Sequence, residues 1–323
     1  KKGPVHINAP FEEPLYEMVS ESSVSPTIVD FENNNSINSI EDLTEFAAIW
    51  NNSARKMILV GVNEPNLIDN KIIEAFAKDE SVVVLTETTS NLHHPSFINN
   101  IDTIITPFTS NDFEAFQPDV LVTFGGMVVS KRIKAFLRKY KPKHHWHIDS
   151  LRAYDTFGAL TQHVEMDPQL FFDHFIPLTK VVESDYSQQL IEIKSTRKLK
   201  HDAYLASVPF SDFTVFDTIM PKIPKHSQLQ IGNSSAIRYA QLIPIDASIE
   251  VYCNRGTSGI DGCTSTAIGA AVANGKPTTF ITGDIGFLYD TNALWNNYIP
   301  KNFKIILINN GGGGIFRILP GHE

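Results

Sequence analysis

The chain has 323 residues, of which 42% are hydrophobic, and it carries a formal net charge of −9. This length exceeds the usual size of one domain, so we expect two domains with ordinary apolar cores. The acidic balance argues against nucleic acid as a partner, and no apolar run approaches the roughly 18 residues that cross a bilayer. The N-terminus lacks an apolar signal core, and only Cys253 and Cys263 could form a disulfide. We therefore expect two reduced thiols and a cytoplasmic location.

The first 38 residues differ in composition from the rest of the chain. Residues 1–16 contain a short strand-like piece, Pro4 to Asn8, followed by Pro10 and Pro14. This pattern is typical of the end of a preceding domain. Residues 17–38 are rich in Ser, Asn and Glu, which predicts a surface linker.

Residues 39–180 alternate between helical and strand patterns. In chain order we predict a helix capped by Ser39 or Glu41 that runs to Trp50, a strand at 57–62, a helix at 70–78, a strand at 82–85, a weaker segment at 102–107, a strand at 119–124, a helix at 130–140 and a strand at 144–148. The strands are continuously apolar rather than alternating, which is typical of strands buried on both faces. The fold class predicted is α/β, with a doubly wound, mostly parallel sheet in this central, Rossmann-like domain.

A second α/β domain of the same kind is predicted over residues 185–323. Its expected elements are helices at 186–207 and 212–220, a strand at 228–231, a helix at 235–242, a strand at 250–253, a helix of small residues at 262–274, and buried strands that begin near Thr279 and Ile305. The sequence ends before a returning helix and a further strand. We therefore expect this domain to be truncated.

Polar residues follow the last two predicted strands. Asp284 and Asn310 are 310 − 284 = 26 positions apart, which is enough for one crossover helix between adjacent parallel strands. The carboxyl ends of such strands meet at one edge, where ligands collect. A carboxylate, a carboxamide oxygen and a backbone carbonyl from the run Gly311–Gly314 would form half of an octahedral shell for a hard divalent cation. Such a shell is usually completed by water and phosphate oxygens.

The histidines in the strand at 144–148 invite a metal-site hypothesis. His145 and His147 share one face of a strand, but no third ligand is evident. We expect them to be strand histidines at a domain surface.

At this point the motifs resemble a known family. Gly283-Asp284 with Asn309-Asn310 resembles the signature of enzymes that depend on thiamine diphosphate. Three further segments, 232–238, 254–262 and 315–321, are similar to those of the menaquinone-pathway synthases that form 2-succinyl-5-enolpyruvyl-6-hydroxy-3-cyclohexene-1-carboxylate. Ile285, the hydrophobic residue after Gly283-Asp284, also suits that branch. The resemblance spans the chain and is strongest over residues 230–321. It implies that residues 185–323 are the diphosphate-binding domain and that 1–16 are the tail of a pyrimidine-binding domain.

The resemblance implies a role for each matching residue. Asp284, Asn310 and the carbonyl of Gly312 would hold Mg²⁺ (or Mn²⁺) against the cofactor's diphosphate, next to Gly283 and Ile285. Ile260 would support thiamine diphosphate in its bent shape. Groups facing the dicarboxylate substrates, 2-oxoglutarate and isochorismate, would be Ser234, Arg238, Arg255 and Lys131, with an apolar wall from Ile315, Phe316 and Leu319. Arginine suits this role because its planar guanidinium binds a carboxylate through two hydrogen bonds.

The same resemblance sets limits on this sequence. The catalytic glutamate of the family belongs to the pyrimidine-binding domain of a neighbouring subunit, so we expect no catalytic residue and no synthase activity in these 323 residues, and a homodimer or homotetramer for the whole enzyme. Two alternatives stay open. One is another thiamine diphosphate-dependent 2-oxo acid decarboxylase or an enzyme like acetolactate synthase. The other is a non-catalytic nucleotide-binding or assembly module.

Overall fold

The computed structural model describes residues 43–314 continuously, together with residues 8, 10, 20, 21 and 25. The described continuous region belongs to one compact unit that begins at Leu43. The predictions for residues 1–16 and 17–38, the helix caps at Ser39 and Glu41, and the apolar wall of Ile315, Phe316 and Leu319 lie outside this region. No helix of the region has the length and apolar character that a membrane span requires.

The first sheet has five parallel strands in the order β2-β1-β3-β4-β5. Its strands are β1 (Lys56–Val60), β2 (Val82–Leu85), β3 (Val120–Phe124), β4 (His144–Ile148) and β5 (Gln162–Val164). Every residue of β1, β2 and β3 is buried, because helices cover both faces. These strands could therefore be predicted from continuous apolar runs in the sequence. The prediction missed β5, whose three residues include Gln162 and His163 and form no apolar run.

Helices connect these strands and pack on both faces. They are α1 (Thr44–Asn51), α2 (Asn70–Lys78), α3 (Ile101–Ile105), α4 (Ser110–Phe116), α5 (Lys131–Lys139) and α6 (Pro168–Phe175). Among the residues described, α1 begins at Thr44. The weak segment at 102–107 is the short helix α3. The side chain of Ser130, where the predicted helix at 130–140 begins, caps α5 by accepting a hydrogen bond from the Ile133 N–H at 3.1 Å, a role for which serine is favoured.

The second sheet has four parallel strands in the order β7-β6-β8-β9. Its strands are β6 (Gln228–Ile231), β7 (Glu250–Tyr252), β8 (Thr278–Gly283) and β9 (Phe303–Ile308), and its helices are α7 (Tyr186–Leu205), α8 (Asp212–Ile219), α9 (Ser235–Ala240), α10 (Cys263–Asn274) and α11 (Asp284–Leu288). Short 3-10 helices in the described region span Thr88–Ser90, Ile176–Leu178, Met220–Lys222 and Thr291–Leu294. Both sheets are thus parallel and covered by helices, which confirms the predicted α/β class.

Two features of the described region connect the sheets. Val128 packs in the core on one face of the first sheet, whereas the next residue, Val129, packs in the core of the second sheet. Asn91 uses its side-chain amide to pair with the backbone of Val251 on the edge strand β7, donating to the carbonyl at 2.9 Å and accepting from the N–H at 2.8 Å. The amide therefore completes hydrogen bonds that an edge strand would otherwise leave open.

The strand histidines form a buried polar group. Thr123 Oγ1 lies 2.9 Å from His145 Nε2 and 2.8 Å from His147 Nδ1, so the two rings share one face as predicted. Burial lowers the pKa of His145 to about 4 and also lowers the pKa of His147. The expectation of a surface location is wrong for His145, which is 1% exposed. Within the described residues no group of three His, Cys, Asp or Glu side chains could hold a metal ion.

Candidate functional site

The candidate site lies where β8 and β9 end. These strands are neighbours, and Gly283 on β8 pairs in register with Ile308 on β9. Asp284 and Asn310 follow their strands at the same edge of the sheet. The crossover spacing therefore brings the carboxylate and the carboxamide into one region, because parallel strands end on the same side.

One cavity contains most of the predicted cofactor residues. It is lined by Asp212, Phe216, Asn233, Ser234, Ser235, Ala236, Ile260, Thr282, Gly283, Asp284, Ile285, Gly286, Ile308, Asn310, Gly313 and Gly314. These residues come from α8, the β6–α9 turn, the loop before α10 and the ends of β8 and β9. Five segments that are distant in sequence thus form one concave surface.

The polar atoms of Asp284 and Asn310 are held by specific contacts. Asp284 Oδ2 accepts a hydrogen bond from the Gly312 N–H at 2.7 Å, and Oδ1 accepts from the Ile285 N–H at 2.8 Å. Asn310 Nδ2 donates to Asp212 Oδ2 at 2.8 Å, while Asn310 Oδ1 is buried and has no hydrogen-bond partner among the described residues. A buried acceptor without a partner, in a cavity with a carboxylate, fits a hard cation that prefers oxygen ligands.

The backbone of the β6–α9 turn approaches the end of β8 closely. A Cβ at Gly232 would lie 2.8 Å from Thr282 Oγ1, so only glycine fits there. Two residues later Ser234 has φ 71° and ψ −129°, a conformation that costs a residue with a side chain about 1–3 kcal/mol. Strain of this kind clusters at ligand sites, and Ser234 lines the cavity.

Apolar side chains close the other side of the cavity. A Cβ at Gly286 would lie 3.5 Å from the carbonyl oxygen of Ile260 and 3.7 Å from its Cβ, so Ile260 packs next to the residues that follow β8. The Cδ1 of Ile285 would lie 3.6 Å from a Cβ at Gly312. Ile260 and Ile285 therefore both border the region that holds Asp284.

The predicted substrate-facing cations lie outside the lining of this cavity. Arg255 Nη1 donates to Asn233 Oδ1 at 2.8 Å, while its Nε is buried and has no partner among the described residues. Arg238 lies on α9, and Lys131 is exposed at the start of α5. Arg255 and Arg238 both lie near Lys134, and their positive charges disfavour its protonated form. The pKa of Lys134 is lowered mainly by burial and further by these arginines, whereas Glu87 raises it.

Glu87 is a buried residue that sequence reasoning missed. Its carboxylate accepts hydrogen bonds from the N–H groups of Val129 at 2.6 Å and Ser130 at 2.7 Å, and thus holds the segment that enters the second core and begins α5. Burial raises the pKa of Glu87 to about 7. The available signal was a charged residue two positions after a buried strand, in the run Thr86-Glu87-Thr88.

We expect the stability contributed by Glu87 to depend on pH. Its folded-state pKa of about 7 exceeds the ordinary glutamate value of 4.5. The contribution is therefore fully present below about pH 4.5 and is lost as the pH rises through 7. The free energy of unfolding of the wild type, relative to Glu87→Gln, should fall by about 2–3 kcal/mol between pH 4.5 and 7. Urea unfolding across this range measures it, with the exposed Glu192→Gln as control. A difference that does not change with pH would contradict the assignment.

Comparison with known proteins identifies the family of this chain. A family model described as "Middle domain of thiamine pyrophosphate" matches residues 37–231. A protein of Flavobacterium johnsoniae named 2-succinyl-5-enolpyruvyl-6-hydroxy-3-cyclohexene-1-carboxylate synthase is 66% identical over 324 residues, covering 100% of this chain and 58% of the relative. Proteins of the same name from Flavobacterium psychrophilum and Bacteroides fragilis are 65% and 37% identical, with 100% of this chain and 58% and 57% of the relatives covered.

The chain spans 58% of the length of the first of these relatives. The similarity covers both sheets, since it extends over the whole chain, whereas the family model ends within the second sheet at β6. From its match over residues 37–231, the chain belongs to the family of thiamine pyrophosphate-enzyme middle domains.

Proposed function

We propose that the protein carrying this chain is a synthase that depends on thiamine diphosphate and Mg²⁺. It would form 2-succinyl-5-enolpyruvyl-6-hydroxy-3-cyclohexene-1-carboxylate and CO₂ from 2-oxoglutarate and isochorismate, in menaquinone biosynthesis. The main support for this proposal is that four predicted site residues line one cavity, namely Asp284, Asn310, Ile260 and Ser234. The chain that contains them is 66% identical to a synthase that is named for this product. We propose a cytoplasmic homodimer or homotetramer as the working form.

In this proposal each residue performs a defined task. Asp284 and Asn310 hold the cation that binds the cofactor's diphosphate, with the Gly312 carbonyl as the third protein ligand. The orphaned Asn310 Oδ1 supports this assignment because a cation would satisfy it. Ile260 supports the cofactor from the apolar side. When bound, thiamine diphosphate supplies an electron sink for the carbon that loses CO₂.

The cations beside the cavity support a dicarboxylate substrate. Arg255, Arg238 and Lys134 gather positive charge where the two sheets meet, and the Nε of Arg255 has no partner among the residues described. Such a guanidinium is available for a carboxylate. We include Lys131 in the substrate-facing group because of its place at the start of α5, and the exposed Lys131 side chain is accessible to a ligand.

The test is turnover by the whole protein that carries this sequence. With thiamine diphosphate, Mg²⁺, 2-oxoglutarate and isochorismate, we expect CO₂ release and the named product. Arg238→Ala and Arg255→Ala should each lower isochorismate-dependent turnover about 10- to 100-fold, since a charge-assisted hydrogen bond contributes about 1.5–3 kcal/mol. Arg152→Ala, at an exposed arginine in the loop after β4, is the control. No product from the wild type would overturn the proposal, and unchanged turnover in both arginine variants would overturn the substrate assignment.

A further inference from the structure

Asn310 has one hydrogen-bonded end and one free end in its side chain. Its Nδ2 donates to Asp212 Oδ2 at 2.8 Å. Its Oδ1 is buried without a partner among the described residues. Asp212 and Asn310 are 98 residues apart in sequence, and both line the cavity that contains Asp284. The contact therefore links α8 to the end of β9 at the candidate site.

The orientation of this amide decides whether Asn310 can bind a cation. A carboxamide has an oxygen that accepts and a nitrogen that only donates, and rotation by 180° exchanges them. A cation is attracted by the oxygen and repelled by the N–H₂ group. An ionised carboxylate accepts but cannot donate, so Asp212 favours the rotamer in which Nδ2 points toward it. The oxygen is then the atom left for a ligand.

We propose that Asp212 is a positioning residue for Asn310. It selects the amide orientation that presents Oδ1 to the cation, and it does not itself need to contact the metal. Partners behind a metal ligand that set its orientation in this way typically change metal affinity 10- to 100-fold when removed. The inference rests on the magnesium–diphosphate site proposed above and adds a residue that no sequence motif indicated.

The placement of Asp212 supports this role. It is the first residue of α8, and the residue before it, Ser211, has the extended backbone of a helix N-cap. Four residues of α8 pack with the core of the second sheet: Phe213, Val215, Phe216 and Ile219. The helix is thus held against the same sheet that carries Asn310. A carboxylate on a packed helix can hold its partner more firmly than one on a loop.

An exchange of the two residues tests the orientation directly. Asp212→Ala removes the acceptor and frees the amide to rotate. Asn310→Asp alone places two carboxylates in contact, which is unfavourable. In the double variant Asp212→Asn/Asn310→Asp, the new amide donates to the new carboxylate, whose second oxygen takes the place of Oδ1. The pair then has the same total charge and the same hydrogen bond as the wild type.

The measurement is Mg²⁺ binding by isothermal titration, with thiamine diphosphate present, in the whole protein. We expect Asp212→Ala to weaken binding about 10- to 100-fold and the exchanged pair to recover at least most of the loss, because it restores the oriented oxygen and places a charged ligand at position 310. Asp217→Ala, on the same helix but outside the cavity lining, should bind as the wild type does. Urea unfolding of each variant separates loss of the fold from loss of the site.

The outcomes separate this inference from the proposed function. If the wild type binds Mg²⁺ and Asp212→Ala binds it equally well, the positioning role is wrong and the proposed function stands. An exchanged pair no better than Asp212→Ala, with its fold intact, also overturns the positioning role. If the wild type shows no Mg²⁺ binding with the cofactor, both the inference and the proposed metal site fail.

Discussion

Replacing Asp284 with asparagine is expected to weaken Mg²⁺ binding in the presence of thiamine diphosphate by about 100-fold or more, because the number of charged ligands sets the affinity of such sites. The substitution removes the charge of the proposed ligand and keeps its shape. An asparagine oxygen can still accept the hydrogen bond that the Gly312 N–H donates at 2.7 Å, which keeps the glycine loop in place, whereas the bond from the Ile285 N–H to the second oxygen is lost. Turnover should fall with metal affinity, and titration of Mg²⁺ measures the first effect independently of activity.

The control for this substitution is another aspartate far from the cavity. Asp202 on α7 pairs with Lys198 at 2.8 Å, and its side chain is 52% exposed. Asp202→Asn should leave Mg²⁺ affinity and turnover unchanged. Asp284→Glu keeps the charge but lengthens the side chain, and we expect a smaller loss than in Asp284→Asn. Affinity in Asp284→Asn within threefold of the wild type would exclude Asp284 as a metal ligand.

The second large effect concerns a buried ion pair in the first sheet. Lys56 on β1 is fully buried, and its Nζ lies 2.8 Å from Asp79 Oδ2 and 4.9 Å from the centre of the Trp50 ring. Burial lowers the pKa of Lys56, opposed by its hydrogen bond with Asp79. Asp79→Ala should lower the free energy of unfolding by about 3–5 kcal/mol, because a buried ammonium is left without its counter-charge. Equilibrium urea unfolding followed by circular dichroism measures this loss.

A double-mutant cycle tests the cause. In Lys56→Met/Asp79→Ala the charge that needs a partner is also removed, so this variant should be more stable than Asp79→Ala despite its additional substitution. The exposed pair Lys198–Asp202 has the same 2.8 Å distance, yet Asp202→Ala should cost less than about 1 kcal/mol because water screens the charges. If the double variant is the less stable of the two, the loss in Asp79→Ala comes from the hydrogen bonds that the N–H and hydroxyl of Ser81 donate to Asp79 Oδ1.

The strands that the sequence predicted best are those buried on both faces. β2 has the predicted bounds, and β1 and β3 differ from theirs by one or two residues at an end. β4 also has the predicted bounds, although two of its five residues are only half-buried. Burial between helices demands a continuous apolar run, which is visible in one sequence. The three-residue β5 was missed because its place depends on pairing with β4 rather than on its own composition. The domain boundaries at 180 and 185 stay predictions.

The candidate site was predictable in part for a similar reason. Asp284 and Asn310 could be paired because the number of residues between two consecutive strands, which here allows one crossover helix, is read directly from the sequence. Whether Asp284, Asn310 and Gly312 bind a metal stays a prediction, as do the roles of Arg238 and Arg255. The resemblance to thiamine diphosphate enzymes predicted more of the site than the spacing did. The family model that matches residues 37–231 confirms the resemblance to these enzymes.

The sequence by itself determined the α/β class, most strand positions and the two polar residues that follow β8 and β9, since each follows from short-range patterns of apolar and polar residues. Only the tertiary structure decided which other groups meet them. Asp212 contacts Asn310 across 98 positions, and Glu87 reaches the backbone of Val129 across 42. Both are single carboxylates without a motif. Their partners are set by how helices pack on sheets, and packing depends on the whole fold rather than on neighbours in sequence.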